Sequence, residues 1–288
     1  MTVRDWFKKA QKENFAIGAF NADNLEIFKA ILTAAKNRKS PVMIEFSPGE
    51  VSYFGLRNIV DLVVNAREEY KIPIFLNLDH AKKVEDCMTA IGQPGFDEIH
   101  FDGSDLTFEE NIKEVKRVVG AAHSKGLLVE GEIDKVGGSS EVHPENIEVE
   151  TLKGSYTDPK KAVSFVGETQ IDIFAAVFGN VHGTFPNQPD LDINLLSAIR
   201  GALPNTFLSM HGGSGISAVQ VKTAIETGKI VKINVNTELR AAYKDALCEK
   251  IGEEPNEYKI YKFADEIMLA VAAVVEGKIE IFGSSGKI

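Results

Sequence analysis

The chain has no excess of positive charge. Its 42 Asp and Glu residues outnumber its 32 Lys and Arg residues, which gives a formal net charge of −10. Proteins that bind nucleic acids neutralise phosphates with a basic surface, and anionic membranes attract basic segments. We therefore expect neither a nucleic acid nor a membrane surface as a partner.

Cysteines and long hydrophobic runs are also scarce. The two cysteines, Cys87 and Cys248, form no CxxC pair, which favours free thiols over a disulfide, although one disulfide stays open at this point. No run of about 18 apolar residues exists, so no transmembrane helix is predicted. The first residues, MTVRDWFKKAQKE, contain no apolar signal segment. We expect a cytoplasmic protein.

Short apolar segments alternate with longer segments of helical periodicity, as in proteins built from βα units. Eight segments are predicted strands: residues 15–20, 41–46, 72–78, 98–101, 127–132, 171–177, 207–210 and 230–235. Helical periodicity lies between them, for example at residues 25–37, 58–70, 108–126 and 217–229. The sequence therefore predicts an α/β fold, a (β/α)8 TIM barrel that forms a single domain over residues 1–288.

The alternative fold is a doubly wound open sheet. It normally has a glycine-rich first turn, whereas the segment after the first predicted strand reads AFNADN. Two polar segments, residues 137–158 and 183–189, interrupt the alternation, and barrel enzymes often carry lids and binding loops at such places. A last helix, predicted over residues 258–276, can pack on the barrel or on a partner subunit.

Polar residues follow six consecutive predicted strands, at the end of the barrel where enzymes of this fold place their active sites. Three of the six histidines, His80, His182 and His211, lie at these strand ends. Three imidazoles with one open position form a catalytic zinc site, and the alternative is three unrelated polar residues. The other histidines are predicted to be structural or solvated: His100, His123 and His143.

Three carboxylates accompany the histidines. Asp79 precedes His80, and is predicted either to act as a general acid or base or to orient an imidazole. Asp102 and Glu132 are predicted to supply oxygen ligands to a second or alternate metal position. The alternative for both is a helix cap or an ion pair with a lysine.

Two glycine-containing and hydroxyl-containing segments, HGGSG at 211–215 and NVNT at 234–237, follow the last two predicted strands. In barrel enzymes, phosphates bind at the loops after strands seven and eight, against backbone N–H groups and a helix N-terminus. Glycines permit close approach of the backbone, and Ser214 and Thr237 add hydroxyl donors. The sequence predicts a phosphate site here.

Taken in order, the segments LDH, FDGS, EGE, FGNVHG, HGGSG and KINVNT resemble those of the class II, metal-dependent ketose-bisphosphate aldolases. That group includes the fructose-bisphosphate and tagatose-bisphosphate aldolases. The resemblance extends over essentially the whole chain, from AFN and EFS to the terminal FGSSGK. It implies a glycolytic lyase that reversibly cleaves a ketose 1,6-bisphosphate, with fructose 1,6-bisphosphate as the first candidate, to dihydroxyacetone phosphate and glyceraldehyde 3-phosphate.

The resemblance also assigns roles to residues. Zinc would be held by three histidines and, in an alternate or second position, by two carboxylates: His80, His182, His211, Asp102 and Glu132. Asp79 would exchange a proton with the C4 hydroxyl. Substrate would contact Asn21, Ser47, Gly183, Gly212, Gly213, Ser214, Asn234, Val235, Asn236 and Thr237. A monovalent cation, Na⁺ or K⁺, would bind backbone carbonyls of Val181, Gly183 and Gly212, and the enzyme would be a homodimer or homotetramer.

Two departures from the family pattern stand out. Members usually carry a glutamate two positions after the GG of a mobile loop, proposed to move the C1 proton, whereas residues 137–141 here read GGSSE. Glu141 is predicted to take over as a catalytic residue. Residues 184–186, Thr-Phe-Pro, replace the aromatic and lysine residues that many members have there. A basic residue from elsewhere, or from a neighbouring subunit, would then contact one phosphate.

Other functions stay open at this point. A tagatose-bisphosphate or other ketose-phosphate aldolase has the same motifs. A metal-dependent hydrolase would normally show HxH after the first strand, where this chain has FNADN. A Schiff-base aldolase would need a lysine such as Lys232. A catalytically altered sugar-phosphate-binding homologue would bind without turnover.

Overall fold

The computed structural model describes residues 1–288, and its main feature is a closed barrel of parallel strands. The chain has ten strands, of which β6 and β8 lie outside the barrel: β1 (Ile17–Asn21), β2 (Val42–Phe46), β3 (Ile74–Ala81), β4 (Glu98–Asp102), β5 (Leu128–Glu132), β6 (Gly137–Val142), β7 (Ile173–Ala175), β8 (Val181–Thr184), β9 (Phe207–Met210) and β10 (Ile230–Val235). The order around the barrel is β1-β10-β9-β7-β5-β4-β3-β2. All eight predicted strands are present, and the predicted (β/α)8 barrel is confirmed.

Helices surround the barrel and connect its strands. They are α1 (Val3–Glu13), α2 (Leu25–Asn37), α3 (Pro48–Phe54), α4 (Leu56–Tyr70), α5 (Val84–Ile91), α6 (Phe108–His123), α7 (Val149–Leu152), α8 (Pro159–Thr169), α9 (Ile193–Ala202), α10 (Ala218–Gly228), α11 (Thr237–Glu253) and α12 (Ala264–Phe282). None of them is both long enough and apolar enough to span a lipid bilayer. Both cysteines are free thiols, as predicted, and Cys87 is buried.

Helix α2 has the predicted bounds because its sequence contains a clear start. The side chain of Asn24 accepts a hydrogen bond from the backbone N–H of Ile27 at 2.9 Å, which caps the helix. Helix α12 differs from the predicted range of 258–276. Tyr258 lies in the connection before α12 and is 85% exposed, whereas Phe282 is buried against the barrel and extends the helix to its stop at Gly283.

Helix α1 precedes the first strand and closes the bottom of the barrel, a role that the sequence did not predict. Trp6 and Phe7 are buried on its inner face. The ring of Phe7 lies 5.5 Å from the ring of Phe207 in β9, edge to face. These residues join a separate apolar cluster that includes Phe75 and Val231. The opposite end of the barrel is therefore the open one.

The two polar segments that interrupt the alternation form structure of their own. Strand β6 pairs in parallel with β8, outside the barrel, with Gly138 opposite His182. A short helix, α7, follows in the first segment. The pairing places this small sheet beside the open end of the barrel and brings His182 to that end.

Candidate metal and substrate site

A polar pocket opens at the carboxyl ends of the barrel strands. It is lined by 21 residues, of which only 1 is hydrophobic, so its ligand must be strongly polar. Fourteen of the predicted site residues line it: Asn21, Ser47, Asp79, His80, Asp102, Glu132, His182, Gly183, His211, Gly212, Ser214, Asn234, Asn236 and Thr237. Gly213, Val235 and Glu141 do not lie on the pocket wall.

The three predicted histidine ligands lie together. The ring centroid of His80 is 4.5 Å from that of His211 and 5.0 Å from that of His182, and the last two are 6.0 Å apart. His80 lies in β3, His182 lies in β8 and His211 directly follows β9, so the closed barrel and the small β6–β8 sheet are both needed to assemble them. The strand-end positions of the sequence thus converge as predicted.

The free nitrogens of these rings fit a divalent metal. Nε2 of His80 and Nδ1 of His211 are buried and have no hydrogen-bond partner, although buried polar atoms normally have one. Burial lowers the pKa of His182 well below its usual range and that of His211 to about 4. Both are therefore neutral imidazoles with a free lone pair, the form that binds a metal.

Two carboxylates lie against the other nitrogen of His80. Nδ1 of His80 is 3.3 Å from Oδ2 of Asp102 and 3.5 Å from Oε1 of Glu132. Burial opposes a charge on His80, but the carboxylates around it raise its pKa well above the usual range. The site therefore attracts positive charge. Ligand atoms of these three residues lie within 4.8 Å of one another, so they also fit the predicted alternate metal position.

Asp79 lies at the end of β3 and is only 5% exposed. Nδ2 of Asn21 donates to its Oδ2, and Nδ2 of Asn234 donates to its Oδ1, both at 3.2 Å. Burial opposes ionisation of Asp79, but the adjacent His80 and the nearby His100 and His211 bring its pKa below the usual range. The pocket wall therefore carries an ionised carboxylate that can accept a proton.

His100, predicted to be structural or solvated, is fully buried among the candidate ligands. Its Nδ1 accepts a hydrogen bond from the backbone N–H of His80 at 3.1 Å. This bond helps hold His80 at a φ of 49°, a left-handed conformation that is uncommon for residues other than glycine. His100 therefore positions His80. Its signal in the sequence is the alternation of Glu98, His100 and Asp102 along one face of a buried strand.

Lys232 lies inside the barrel below the pocket and is fully buried. Its Nζ is 3.2 Å from Glu45 and 2.7 Å from Glu98, and it makes a still closer contact with Glu130. Burial opposes the charge on Lys232, but the three carboxylates raise its pKa well above the usual range. A Schiff base needs a neutral amine that reaches the substrate, so this geometry argues against Lys232 as the nucleophile.

The predicted phosphate segments combine a tight glycine turn with a helix N-terminus. Gly212 has a φ of 66°, and a Cβ there would lie 2.0 Å from the carbonyl oxygen of Val181, so only glycine fits. Helix α11 begins at Thr237, and the side chain of the preceding residue, Asn236, makes no capping hydrogen bond. The backbone N–H of Glu238, in the first turn, donates to Oγ of Ser214 at 3.4 Å. Oδ1 of Asn236 is buried without a partner. A helix N-terminus beside a glycine turn and the hydroxyls of Ser214 and Thr237 is an arrangement that binds phosphate.

Gly213 supports this phosphate region from behind, and Val235 is buried at the end of β10. The backbone N–H of Gly213 donates to the carbonyl of Asn234 at 2.8 Å, which ties the two loops together. Nζ of Lys278 donates to the carbonyl of Gly213 at 3.1 Å and pairs with Glu238 at 2.8 Å. These residues shape the loops that line the pocket.

Glu141 lies in β6 and is exposed. The backbone next to it reaches the pocket, because Ser140 lines the wall and its carbonyl accepts from Nη1 of Arg240 at 3.4 Å. The side chain of Glu141 itself would have to move inward to meet a ligand. Its predicted catalytic role stays a prediction.

Three cationic side chains of the pocket were missed from the sequence: Lys82, Lys135 and Arg240. Each of these cations follows a strand, and the predicted site residues are the polar residues that lie nearer to the end of that strand. Lys82 comes two residues after His80, Lys135 three after Glu132, and Arg240 lies in the first turns of α11. Cations near strand ends in a phosphate-binding barrel are the signal that would have found them.

With this geometry established, comparison with known proteins identifies the family. The sequence matches a family model described as Fructose-bisphosphate aldolase class-II over residues 1–287. The chain belongs to this family. The match confirms the resemblance found in the sequence, and it makes this class II aldolase a member of a metal-dependent group of lyases that act on sugar phosphates.

Curated relatives of this class II aldolase have different substrates in their names. The fructose-bisphosphate aldolase of Geobacillus stearothermophilus is 37% identical, and the match covers 100% of this chain and 98% of the relative. The sulfofructosephosphate aldolase of Alkalicoccus urumqiensis is 36% identical, covering 97% and 95%. Among solved structures, the YdjI aldolase from Escherichia coli K12 has a TM-score of 0.84 and 31% identity, covering 99% and 98%.

Proposed function

We propose that this class II aldolase is a cytoplasmic zinc enzyme that reversibly cleaves a ketose 1,6-bisphosphate to dihydroxyacetone phosphate and glyceraldehyde 3-phosphate. Fructose 1,6-bisphosphate is the first candidate substrate. The observation that carries the proposal is the convergence of three histidines beside the ionised Asp79, two of them with buried ring nitrogens that have no hydrogen-bond partner. Tagatose 1,6-bisphosphate and other ketose phosphates, such as the sulfofructose phosphate named for one relative, are the alternative substrates.

His80, His182 and His211 would hold the zinc, with Asp102 and Glu132 at its alternate position. Bound zinc supplies a Lewis acid for the substrate carbonyl. Asp79 takes the proton of the C4 hydroxyl as the C3–C4 bond breaks, and the electron pair of that bond passes toward the ketone. The hydrogen bonds from Asn21 and Asn234 keep the Asp79 carboxylate in one orientation for this transfer.

The chain holds the rest of the substrate with backbone and amide groups. The dihydroxyacetone phosphate half would lie on residues 212–214 and 234–237, with its phosphate at the start of α11. Asn234 would contact the enediolate, and its buried Oδ1, which has no partner, would accept a hydrogen bond from the hydroxyl group of the enediolate. Glu141 would return the C1 proton after the β6 segment closes. Asn21, Ser47 and Gly183 would contact the other substrate oxygens.

A coupled assay over ketose mono- and bisphosphates, with and without chelator, tests the proposal. We expect cleavage that stops in EDTA and returns with Zn²⁺. Full activity in chelator would contradict the zinc mechanism. Borohydride with substrate should leave Lys232 unlabelled, because its amine is held by three carboxylates. Tight substrate binding without any turnover would instead favour a catalytically altered homologue.

Two further parts of the proposal concern a second ion and the assembly. A monovalent cation, Na⁺ or K⁺, would bind the carbonyls of Val181, Gly183 and Gly212 near the phosphate. Replacement of both ions by tetramethylammonium should then raise KM. We propose a homodimer or homotetramer, which sedimentation equilibrium would distinguish from a monomer.

A further inference from the structure

The cations of the pocket mouth fall into two groups. Arg240 follows β10 and contacts residues that follow β1 and β2. Lys82 and Lys135 follow β3 and β5, and both contact Asp105, which follows β4. Since β10, β1 and β2 are consecutive in the barrel, as are β3, β4 and β5, the two groups stand on different sides of the mouth.

The positive charge of Arg240 is compensated by neighbouring acidic groups. Its Nε is 2.5 Å from Oδ2 of Asp23, its Nη2 is 3.1 Å from Oε1 of Glu50, and its Nη1 donates to the carbonyl of Ser140 at 3.4 Å. Burial and the neighbouring Asp23 raise the pKa of Glu50 to about 8. Whether Glu50 is protonated or ionised, the group is neutral or negative. Each nitrogen of the guanidinium already makes one contact, and its charge is compensated by Asp23, so an incoming anion meets no net positive charge here.

Around Lys82 and Lys135, by contrast, positive charges outnumber the negative charge of Asp105. Oδ1 of Asp105 is 3.0 Å from Nζ of Lys135, and its Oδ2 makes a closer contact with Nζ of Lys82. Asp105 is thus the carboxylate within hydrogen-bond distance of both ammonium groups, each of which has three N–H donors. The lysine side chains are 52% and 66% exposed, and that of Asp105 is 50% exposed. This group, here called the lysine bridge, carries a net positive charge and free donors.

The lysine bridge is also close to the proposed reaction centre. Nζ of Lys82 lies 3.9 Å from Oδ2 of Asp102, which in turn lies 3.3 Å from Nδ1 of His80. Oδ1 of Asp102 accepts a hydrogen bond from Oγ of Ser104 at 2.6 Å, and its Oδ2 lies closer to His80 than to Lys82. A sugar whose ketone carbon lies at the histidines therefore has its far end within reach of the bridge.

We propose that the lysine bridge binds an anionic group at the end of the aldehyde half of the substrate, and that Arg240 does not. The proposal rests on the proposed aldol cleavage and names its substrate class: a ketose 1-phosphate whose other end carries a phosphate, sulfonate or carboxylate. The anion accepts hydrogen bonds from the ammonium groups of Lys82 and Lys135. It displaces the Asp105 carboxylate toward solvent.

Aldol condensation of dihydroxyacetone phosphate with a panel of aldehydes tests this. The panel contains uncharged glyceraldehyde, glyceraldehyde 3-phosphate, 3-sulfolactaldehyde and a four-carbon aldehyde with a terminal carboxylate. In the zinc-loaded double variant K82M/K135M, kcat/KM for the anionic aldehydes that wild type accepts should fall about 10- to 100-fold, as expected for lost charge-assisted hydrogen bonds. The rate with glyceraldehyde should stay unchanged.

Two single variants sharpen the result. K83M removes a neighbouring exposed lysine that lies outside the pocket and should change nothing. D105N releases both lysines from their carboxylate and should raise kcat/KM for the anionic aldehydes about three- to tenfold. An equal loss with charged and uncharged aldehydes in the double variant, or no loss at all, would overturn the proposal. The preferred anion of the wild type distinguishes phosphate, sulfonate and carboxylate.

A binding measurement separates this proposal from the proposed function. If wild type condenses none of the aldehydes, the aldolase proposal fails by itself. Calorimetric titration with inorganic phosphate then still tests the lysine bridge. We expect two phosphate sites in wild type, one at the start of α11 and one at the bridge, and a single site in K82M/K135M. The same number of sites in both proteins would overturn the bridge as an anion site.

Discussion

Nε2 of His211 lies 3.0 Å from Oε1 of Glu130, and this contact decides which nitrogen of the ring is free. Burial opposes ionisation of Glu130, but Lys232 and the nearby histidines lower its pKa well below the usual range. An ionised carboxylate accepts a hydrogen bond, so Nε2 carries the proton. Nδ1 is then unprotonated, buried and without a partner. Glu130 thereby orients His211 as a metal ligand.

Substitution of Glu130 by glutamine is expected to weaken metal binding. The amide keeps the size of the side chain but loses the charge that favours the Nε2–H form of His211. Loss of such an outer hydrogen bond to a ligating histidine typically costs about 10- to 100-fold in metal affinity. Competition with a fluorescent chelator would measure the zinc dissociation constant of E130Q against wild type.

Ser209, which contacts Glu130 across the barrel, provides the control for E130Q. Oγ of Ser209 contacts the same carboxylate from β9 but does not touch His211. S209A should therefore bind zinc nearly as wild type does, and thermal unfolding of both metal-free variants would report any loss of fold. Wild-type affinity in E130Q would show that Glu130 does not orient the ligand.

Substitution of Asp79 by asparagine is expected to abolish most turnover while the metal stays bound. Asparagine has the same shape but cannot accept a proton, and general base catalysis typically contributes about 10² to 10⁴ in rate. We therefore expect kcat to fall by about that factor in D79N with zinc content unchanged. Steady-state kinetics and metal analysis of the same sample would measure both. Normal turnover would remove Asp79 from the mechanism.

The fold could be predicted because each barrel strand is a short apolar segment between helical periods. Strand β9 has the predicted bounds, Phe207–Met210, since polar residues flank it on both sides. Strand β6 was missed because Gly137–Val142 contains no apolar alternation and pairs only with β8. Its pairing is a tertiary property, so a window of local sequence contains no signal for it.

The site was predictable where its residues end strands, and less so where they lie inside the barrel. His80 and His211 follow apolar runs and are visible as strand-end residues. Glu130 and Lys232 lie within strands, and their function depends on contacts across the barrel that only the closed order of strands creates. The available signal was a polar residue at every second position of a buried strand, as in Glu130 and Glu132.

Substitution of Glu141 by glutamine tests the predicted role of the β6 segment. If the exposed Glu141 moves inward to handle the C1 proton, E141Q should slow exchange of that proton of dihydroxyacetone phosphate with D₂O by about 10². Proton NMR follows this exchange without any aldehyde. E150Q, in α7 of the same insertion, removes another exposed glutamate and should exchange at the wild-type rate. Equal rates in E141Q and E150Q would exclude Glu141.

The buried Glu45 is expected to make the free energy of unfolding depend on pH. It is fully buried, accepts from Nδ2 of Asn77 at 2.8 Å and lies 3.2 Å from Nζ of Lys232. Burial and the charge of Asp79 raise its pKa from 4.5 to about 7. A raised carboxyl pKa favours the folded state at low pH, and this contribution is lost as the pH rises from about 4.5 to about 7.

Substitution of Glu45 by glutamine should remove the loss of stability that Glu45 causes as the pH rises. Glutamine can still accept from Asn77 and stays uncharged at every pH, so the free energy of unfolding of E45Q relative to wild type should rise between pH 5 and pH 8. A shift of this kind is of the order of 1 to 3 kcal/mol. Urea unfolding of the metal-free proteins at both pH values measures it, with E249Q on the exposed face of α11 as control. Parallel pH profiles for E45Q and wild type would mean that Glu45 is already ionised in the folded barrel at pH 5, held by Lys232.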